Sequence, residues 1–200
     1  MLSITRPSEA RIGAFLDLQR AIPLSYPNVG CTHGEPPAGY VCDHNRVRLG
    51  EGEQVFHRAV AALRRWEMFR IGWVEVRPPG APIAEGTTVA TLARAQGVWA
   101  LFACRIVRVI EEHGPVEAFG FAYGTLAGHI LGGEERFLVQ WDRAEGSVWY
   151  DLRALSRPSR LGWRLGYPLV RRIQKRFAPQ SLRAMARAVA GGGRCGEDHA

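Results

Sequence analysis

Lysine is nearly missing from this sequence: of 26 basic residues, 25 are arginine and Lys175 is the only lysine. Such a bias reflects base composition more simply than selection for one partner, although arginine does suit phosphates and carboxylates. Long apolar runs are also missing. The longest, "GVWALFACRIV", is broken by Arg105 and falls far short of the roughly 20 residues of a membrane span. "MLSITRPSEARIGAF" carries Arg6, Glu9 and Arg11 where a secretory leader has an apolar region, so a cytoplasmic location is expected. Cysteine is sparse: Cys31, Cys42, Cys104 and Cys195 have no C-x-x-C spacing, which points to reduced thiols. Cys31, His33, Cys42 and His44 are zinc-capable, but their spacing is unlike the common zinc patterns, and no metal is expected. Gly124, Gly128, Gly132 and Gly133 precede no helix, which excludes a phosphate-binding loop. No cofactor is expected, and the glycines read as turn and bulge residues at positive φ.

What remains is the composition of a soluble globular protein, 46% hydrophobic and 22% charged. A chain of 200 residues suffices for one domain with a sizeable core. Charge is unevenly spread. The formal charge is +7, yet 152–196 holds eleven basic residues and no acid, leaving −4 for the rest. That basic C-terminal region suits an anionic partner.

Hydrophobic periodicity sets the order of elements. "EARIGAFLDLQ" is a short amphipathic run, and "AIPLSYPNVGCTHGEPPAGY" reads as an ordered loop with Tyr26, Val29 and Tyr40 to bury. A strand, "HNRVRLG", precedes a helix over "EGEQVFHRAVAALRRWEMF". The period then becomes two through "IGWVEV", "TTVATLARA", "VWALFACRIVRVIEE", "VEAFGFAY", "EERFLVQWD" and "GSVWYDLRAL". Short connections make these strands antiparallel. The last long segment is helical, with Val170, Ile173, Phe177, Leu182, Met185 and Val189 on one side, and Pro179 is expected to kink or divide it. The expected fold is α+β: a curved antiparallel sheet wrapped around a C-terminal helix, with a cavity between them. An N-terminal helical appendage (1–25), a main domain (26–190) and a tail (191–200) complete the layout.

The blocks "PAGYVCDHNRVRLGEGEQVFHRAVAALRRWEMFRIGW", "FGFAYGTLAGHILGGEERF" and "SRPSRLGWRLGYPLVRRIQKRFAPQSLRAM" resemble the DUF1990 family, also called UPF0548. The resemblance runs from Tyr26 to Val189. Its layout is similar to the START-like, helix-grip proteins, and it implies a fold and an apolar ligand rather than a reaction.

Parity on "EERFLVQWD" puts Glu135, Phe137, Val139 and Trp141 on the apolar face and Glu134, Arg136 and Asp142 on the other. Pairing Glu134 with Arg153 and Arg136 with Asp151 would place two ion pairs on the outside. Glu135, facing inward, is the candidate acid or base, with His129 beside it in sequence; Arg105 is a candidate partner. Tyr123, Glu135, Phe137, Val139, Tyr150 and Arg105 are the candidate ligand contacts. The leading expectation is a protein that binds a small apolar or amphipathic molecule and is more a binder than an enzyme. Catalysis by Glu135 or His129, of cyclase, dehydratase or hydrolase type, is the second. Association of Arg157, Arg160, Arg164, Arg171, Arg172, Lys175, Arg176, Arg183 and Arg187, with Trp163 and Tyr167, with an anionic membrane is the third. No specific nucleic acid is expected.

Overall fold

The computed structural model describes residues 1–158 and 167–191, with side chains in the last helix from 172 onward. Elements follow in the order β1 (Leu2–Ser3), α1 (Glu9–Gln19), β2 (Val41–Glu51), α2 (Glu53–Arg64), a 3-10 turn at Glu67–Phe69, and β3 (Val74–Arg77). Next come β4 (Thr88–Ala95), β5 (Val98–Glu112), β6 (Val116–Thr125), β7 (Leu131–Asp142), β8 (Ser147–Pro158) and α3 (Tyr167–Gly191). The fold is α+β, with one antiparallel sheet in the order β2-β8-β7-β6-β5-β4-β3 and β1 added to β5. Short connections from β3 to β8 leave antiparallel neighbours as the available pairing, as the sequence reading expects.

The inner face of the sheet is apolar because most inward residues of β5 to β8 are aromatic, branched or sulfur-bearing. Cys104, Ile106, Phe119, Phe121, Tyr123, Phe137, Val139, Val148, Tyr150 and Leu152 form one cluster with α2 and α3. The helix α2 enters it through Phe56, Ala59, Ala62 and Leu63, spaced by three and four residues. It ends where Trp66 takes a left-handed conformation (φ 57°), which turns Trp66 and Phe69 onto the sheet. At the centre Phe69 meets Phe137, Phe177 and Trp66, and Phe121 meets Phe137 and Trp66, with ring centroids 4.8–5.9 Å apart. Rings at those separations close the middle of the interface.

Two departures have physical reasons. α3 runs unbroken from Tyr167 to Gly191 with Pro179 inside it. Both Pro179 and Lys175 are on the exposed side, so the Lys175 carbonyl that Pro179 leaves unpaired can bind water. Gly128 is the one glycine of its group with positive φ (95°). Gly124 and Gly133 lie inside strands, where a Cβ would sit 2.2 Å from the Tyr26 hydroxyl and 2.0 Å from the Leu155 carbonyl. Close packing, rather than a turn, explains those two positions.

The outer face is covered twice. α1 lays Ile12 and Leu16 on Ala90, Leu92 and Leu101. The loop after it buries Tyr26 and Cys31 against Leu155, while Val29 stays 55% exposed. No helix among the described residues is long and apolar enough to cross a membrane.

Candidate functional site

The pairing of five strands draws one line of side chains across the inner face: Asp43 on β2, Ala154 on β8, Glu135 on β7, Tyr123 on β6 and Ile106 on β5. Glu135 thus has an opposed tyrosine on one side and an alanine methyl on the other. The Tyr123 hydroxyl donates to its Oε2 at 2.7 Å. Along β7 the same-face neighbours are Gly133, without a side chain, and Phe137. Ala154 and Gly133 thus place no bulky side chain beside Glu135 on this face. Glu135, Ala154 and Asp43 each keep part of their surface exposed, whereas Phe121, Phe137 and Val139, one or two lines further on, are fully buried.

Burial on this apolar face raises the Glu135 carboxyl from its ordinary value to about 7; the Tyr123 hydrogen bond opposes that shift and the Asp43 charge adds to it. Nearby groups are held neutral. Burial raises the Cys104 thiol and the Tyr123 and Tyr150 hydroxyls, with the Glu135 charge as a further cause for each. Tyr150 shares a hydrogen bond with Ser181 of α3 at 3.1 Å, fixing the helix over this end of the sheet.

The remaining candidates fall in different places. Phe137 and Val139 are fully buried, Phe137 inside the ring stack. His129 lies in the β6–β7 connection, its Nδ1 accepting the Leu131 amide at 3.0 Å and its ring on Phe102, and burial lowers it to about 4. It is therefore neutral at pH 7.

Arg105 is on the outer face. Its Nη2 donates to the carbonyls of Gln19, Arg20 and Ile22 at 2.8–3.1 Å and ties down the end of α1. Parity with Leu101 and Ala103, both outer-face residues, is the reason it does not reach Glu135. Glu134 shares that outer face but is 3% exposed rather than open to solvent. It accepts from the Tyr26 hydroxyl, the Gly30 and Thr32 amides and the Thr32 hydroxyl, so the loop folds around its carboxylate. The register sets Glu134 opposite Leu155 and Arg136 opposite Arg153, which removes the Glu134–Arg153 pair. Arg136 does bind Asp151 at 2.9 Å, diagonally, and both are largely buried.

Asp43 and Ser181 were not among the sequence candidates, although each carries a signal. Asp43 shares parity with Val47 and Leu49 on β2, and Ser181 lies four residues from both Phe177 and Met185 on the inward stripe of α3. Cys31 is buried, Cys42 is exposed, and His44 bonds Asp151 at 2.5 Å; no group of three or more His, Cys, Asp or Glu among the described residues is placed to hold a metal. Arg160, Trp163 and Arg164 and the side chains of Tyr167 and Arg171 lie outside the described residues.

Residues 25–184 match the model of a domain of unknown function, DUF1990. The chain belongs to the DUF1990 family. A UPF0548 protein of Deinococcus radiodurans is 37% identical, over 94% of this chain and 99% of its own. A UPF0548 protein of Dictyostelium discoideum is 33% identical, over 94% of this chain and 96% of its own. Among solved structures, human STARD10 is similar at a TM-score of 0.49 and 10% identity, covering 98% of this chain and 84% of that one. Norcoclaurine synthase from Thalictrum flavum scores 0.46 at 10% identity, covering 80% and 90%. These are loose likenesses of shape, and the site rests on the DUF1990 chain's own residues. Asp43, Tyr123, Glu135, Ala154 and Ser181 all lie within the matched span.

Proposed function

We propose that this DUF1990 protein binds a small amphipathic molecule at the Glu135 end of the inner face, its polar head on the Glu135 carboxyl and its apolar body against the sheet and α3. The observation that supports the reading most strongly is Glu135 itself: a carboxyl on an apolar face, brought to a pKa of about 7, and still partly exposed. A carboxyl that serves packing alone is normally fully paired or solvated. Here one oxygen has Tyr123, and the residue, flanked by the small Ala154 and Gly133, keeps part of its surface open to an incoming donor. The filled ring stack limits such a molecule to the end of the interface rather than its length.

A hydroxyl or ammonium head suits this group, because Glu135 accepts a hydrogen bond once ionised and a second anion beside it is disfavoured. Decylamine, decanol and decanoate, titrated at pH 8, test the head-group rule. The amine should bind at least tenfold tighter than decanoate, and Glu135→Gln should erase that preference. Equal affinity for all three, or none for any, contradicts the proposal.

The same pKa supports a second reading, in which Glu135 transfers a proton to or from a bound substrate. Any turnover found should then follow a single ionisation near pH 7 and fall at least a hundredfold in Glu135→Gln. Activity retained by that variant ends the catalytic reading.

A further inference from the structure

A second site lies away from Glu135, at the sheet edge formed by β3. There a cleft of about 490 Å³ opens between the 3-10 turn, β3 and the N-terminal segment, and its wall includes Arg6, Arg65, Arg70, Arg77, Trp73 and Trp99. Volumes of this order suit a small organic molecule. Both indoles are only partly buried, unlike the buried Trp66 of the core. Arg176 of α3 stands over the Trp73 ring at 5.0 Å, and Arg6 and Arg94 over Trp99 at 5.7 and 5.6 Å.

The charge there is not balanced. Glu75 binds Arg6 at 2.5 Å and Arg77 at 2.7 Å, and Glu9 lies 3.6 Å from both. Glu67 is shared between Arg65 at 3.3 Å and Arg70 at 3.4 Å. Arg94 and Arg176 form no ion pair with any described residue. Four guanidiniums line the cleft, and Arg94 and Arg176 stand over its two indoles; against the carboxylates of Glu9, Glu67 and Glu75 these six leave an excess of three positive charges in and around it. Guanidinium planes recognise carboxylate and phosphate oxygens by paired N–H donation and also stack on rings. Trp73 is further fixed by an indole hydrogen bond to Gln180 at 2.8 Å, which holds a wall of the cleft in place before any ligand arrives.

We infer that this cleft binds a small ring-bearing anion, a carboxylate or phosphate, with its charge among the arginines and its ring along the tryptophans. The site is independent of Glu135, and its chemistry is opposite in sign.

Calorimetric titration of the full chain at low salt with phenyl phosphate, benzoate and inorganic phosphate tests the inference. At least one ring-bearing anion should bind saturably, at least fivefold tighter than inorganic phosphate. Arg65→Gln/Arg70→Gln, two exposed changes whose carboxylate partner is Glu67, should weaken it about tenfold. Glu135→Gln should leave the affinity unchanged, and so should Arg183→Gln/Arg187→Gln on the exposed face of α3. Unaltered binding in the Arg65/Arg70 variant, equal affinity for inorganic phosphate, or no saturable binding of either ring-bearing anion overturns the inference. Those outcomes leave the Glu135 proposal standing, because its own test uses different ligands and a different variant.

Discussion

Glu135 keeps a proton that a solvated glutamate gives up, and that difference couples folding to pH. Its folded pKa of about 7 lies above the ordinary 4.5, so the folded state binds the extra proton between those values. Stability from this group therefore falls as pH rises from 4.5 to 7, by about 1–3 kcal/mol once partial exposure is allowed for. His129 works in the opposite direction. Its folded value of about 4 lies below the ordinary 6.5, so its contribution grows as pH rises from 4 to 6.5. The two slopes overlap and offset each other. Urea unfolding from pH 4 to 8 should show Glu135→Gln gaining on the wild type as pH rises, with no difference at pH 4. A constant offset between the two proteins across that range would mean that Glu135 titrates normally.

At the scale of elements, the strands hold the loop and the helix by different means. Gly124 of β6 passes beneath the Tyr26 ring, and the Tyr26 hydroxyl binds Glu134. Gly124→Ala should cost about 1–3 kcal/mol by pushing that ring off. With Tyr26→Ala already present the same change should cost much less, a coupling measurable by a double-mutant cycle. On α3, Pro179→Ala restores an amide donor to an exposed carbonyl and should raise stability by about 1–3 kcal/mol in thermal or urea unfolding. A loss would show that proline fits a bend the sheet requires.

The same elements show what the sequence makes legible. Alternation on β7 is enough to turn Glu135 inward, because a strand has only two faces. Alternation also separates Arg105 from Glu135 once Leu101 is known to pack with α1, but parity alone does not say which face of β5 is inner. Register is harder still. Setting Glu134 opposite Leu155 instead of Arg153 shifts the β7–β8 pairing by two residues and leaves every side chain on its face, so the apolar pattern does not distinguish the two. The burial of Glu134 depends on a loop more than a hundred residues earlier, a contact no local pattern contains.

For the whole molecule, the sheet carries different chemistry in three zones. Its centre is closed by packed rings; its outer face is partly covered by α1 and the loop; its ends stay partly open, with a carboxyl of raised pKa at one site and guanidinium charge at another. On α3, Arg172, Lys175, Arg176, Arg183 and Arg187 are exposed, while Ser181, Met185 and Val189 face inward. Attraction of that basic face to anionic vesicles, if it operates, should weaken severalfold between 0.05 and about 0.15 M salt, the range over which the screening length shortens to roughly 8 Å. Cosedimentation with phosphatidylserine vesicles reads this directly, and salt-independent binding would exclude an electrostatic origin.

The account turns on Glu135, and its own titration is the most direct test. Carbon-13 NMR of the Glu135 carboxyl should give a pKa near 7 in the free protein, dropping by at least one unit when saturating decylamine places an ammonium beside it. A value near 4.5 in the free protein, or a value that decylamine leaves unmoved, would contradict it.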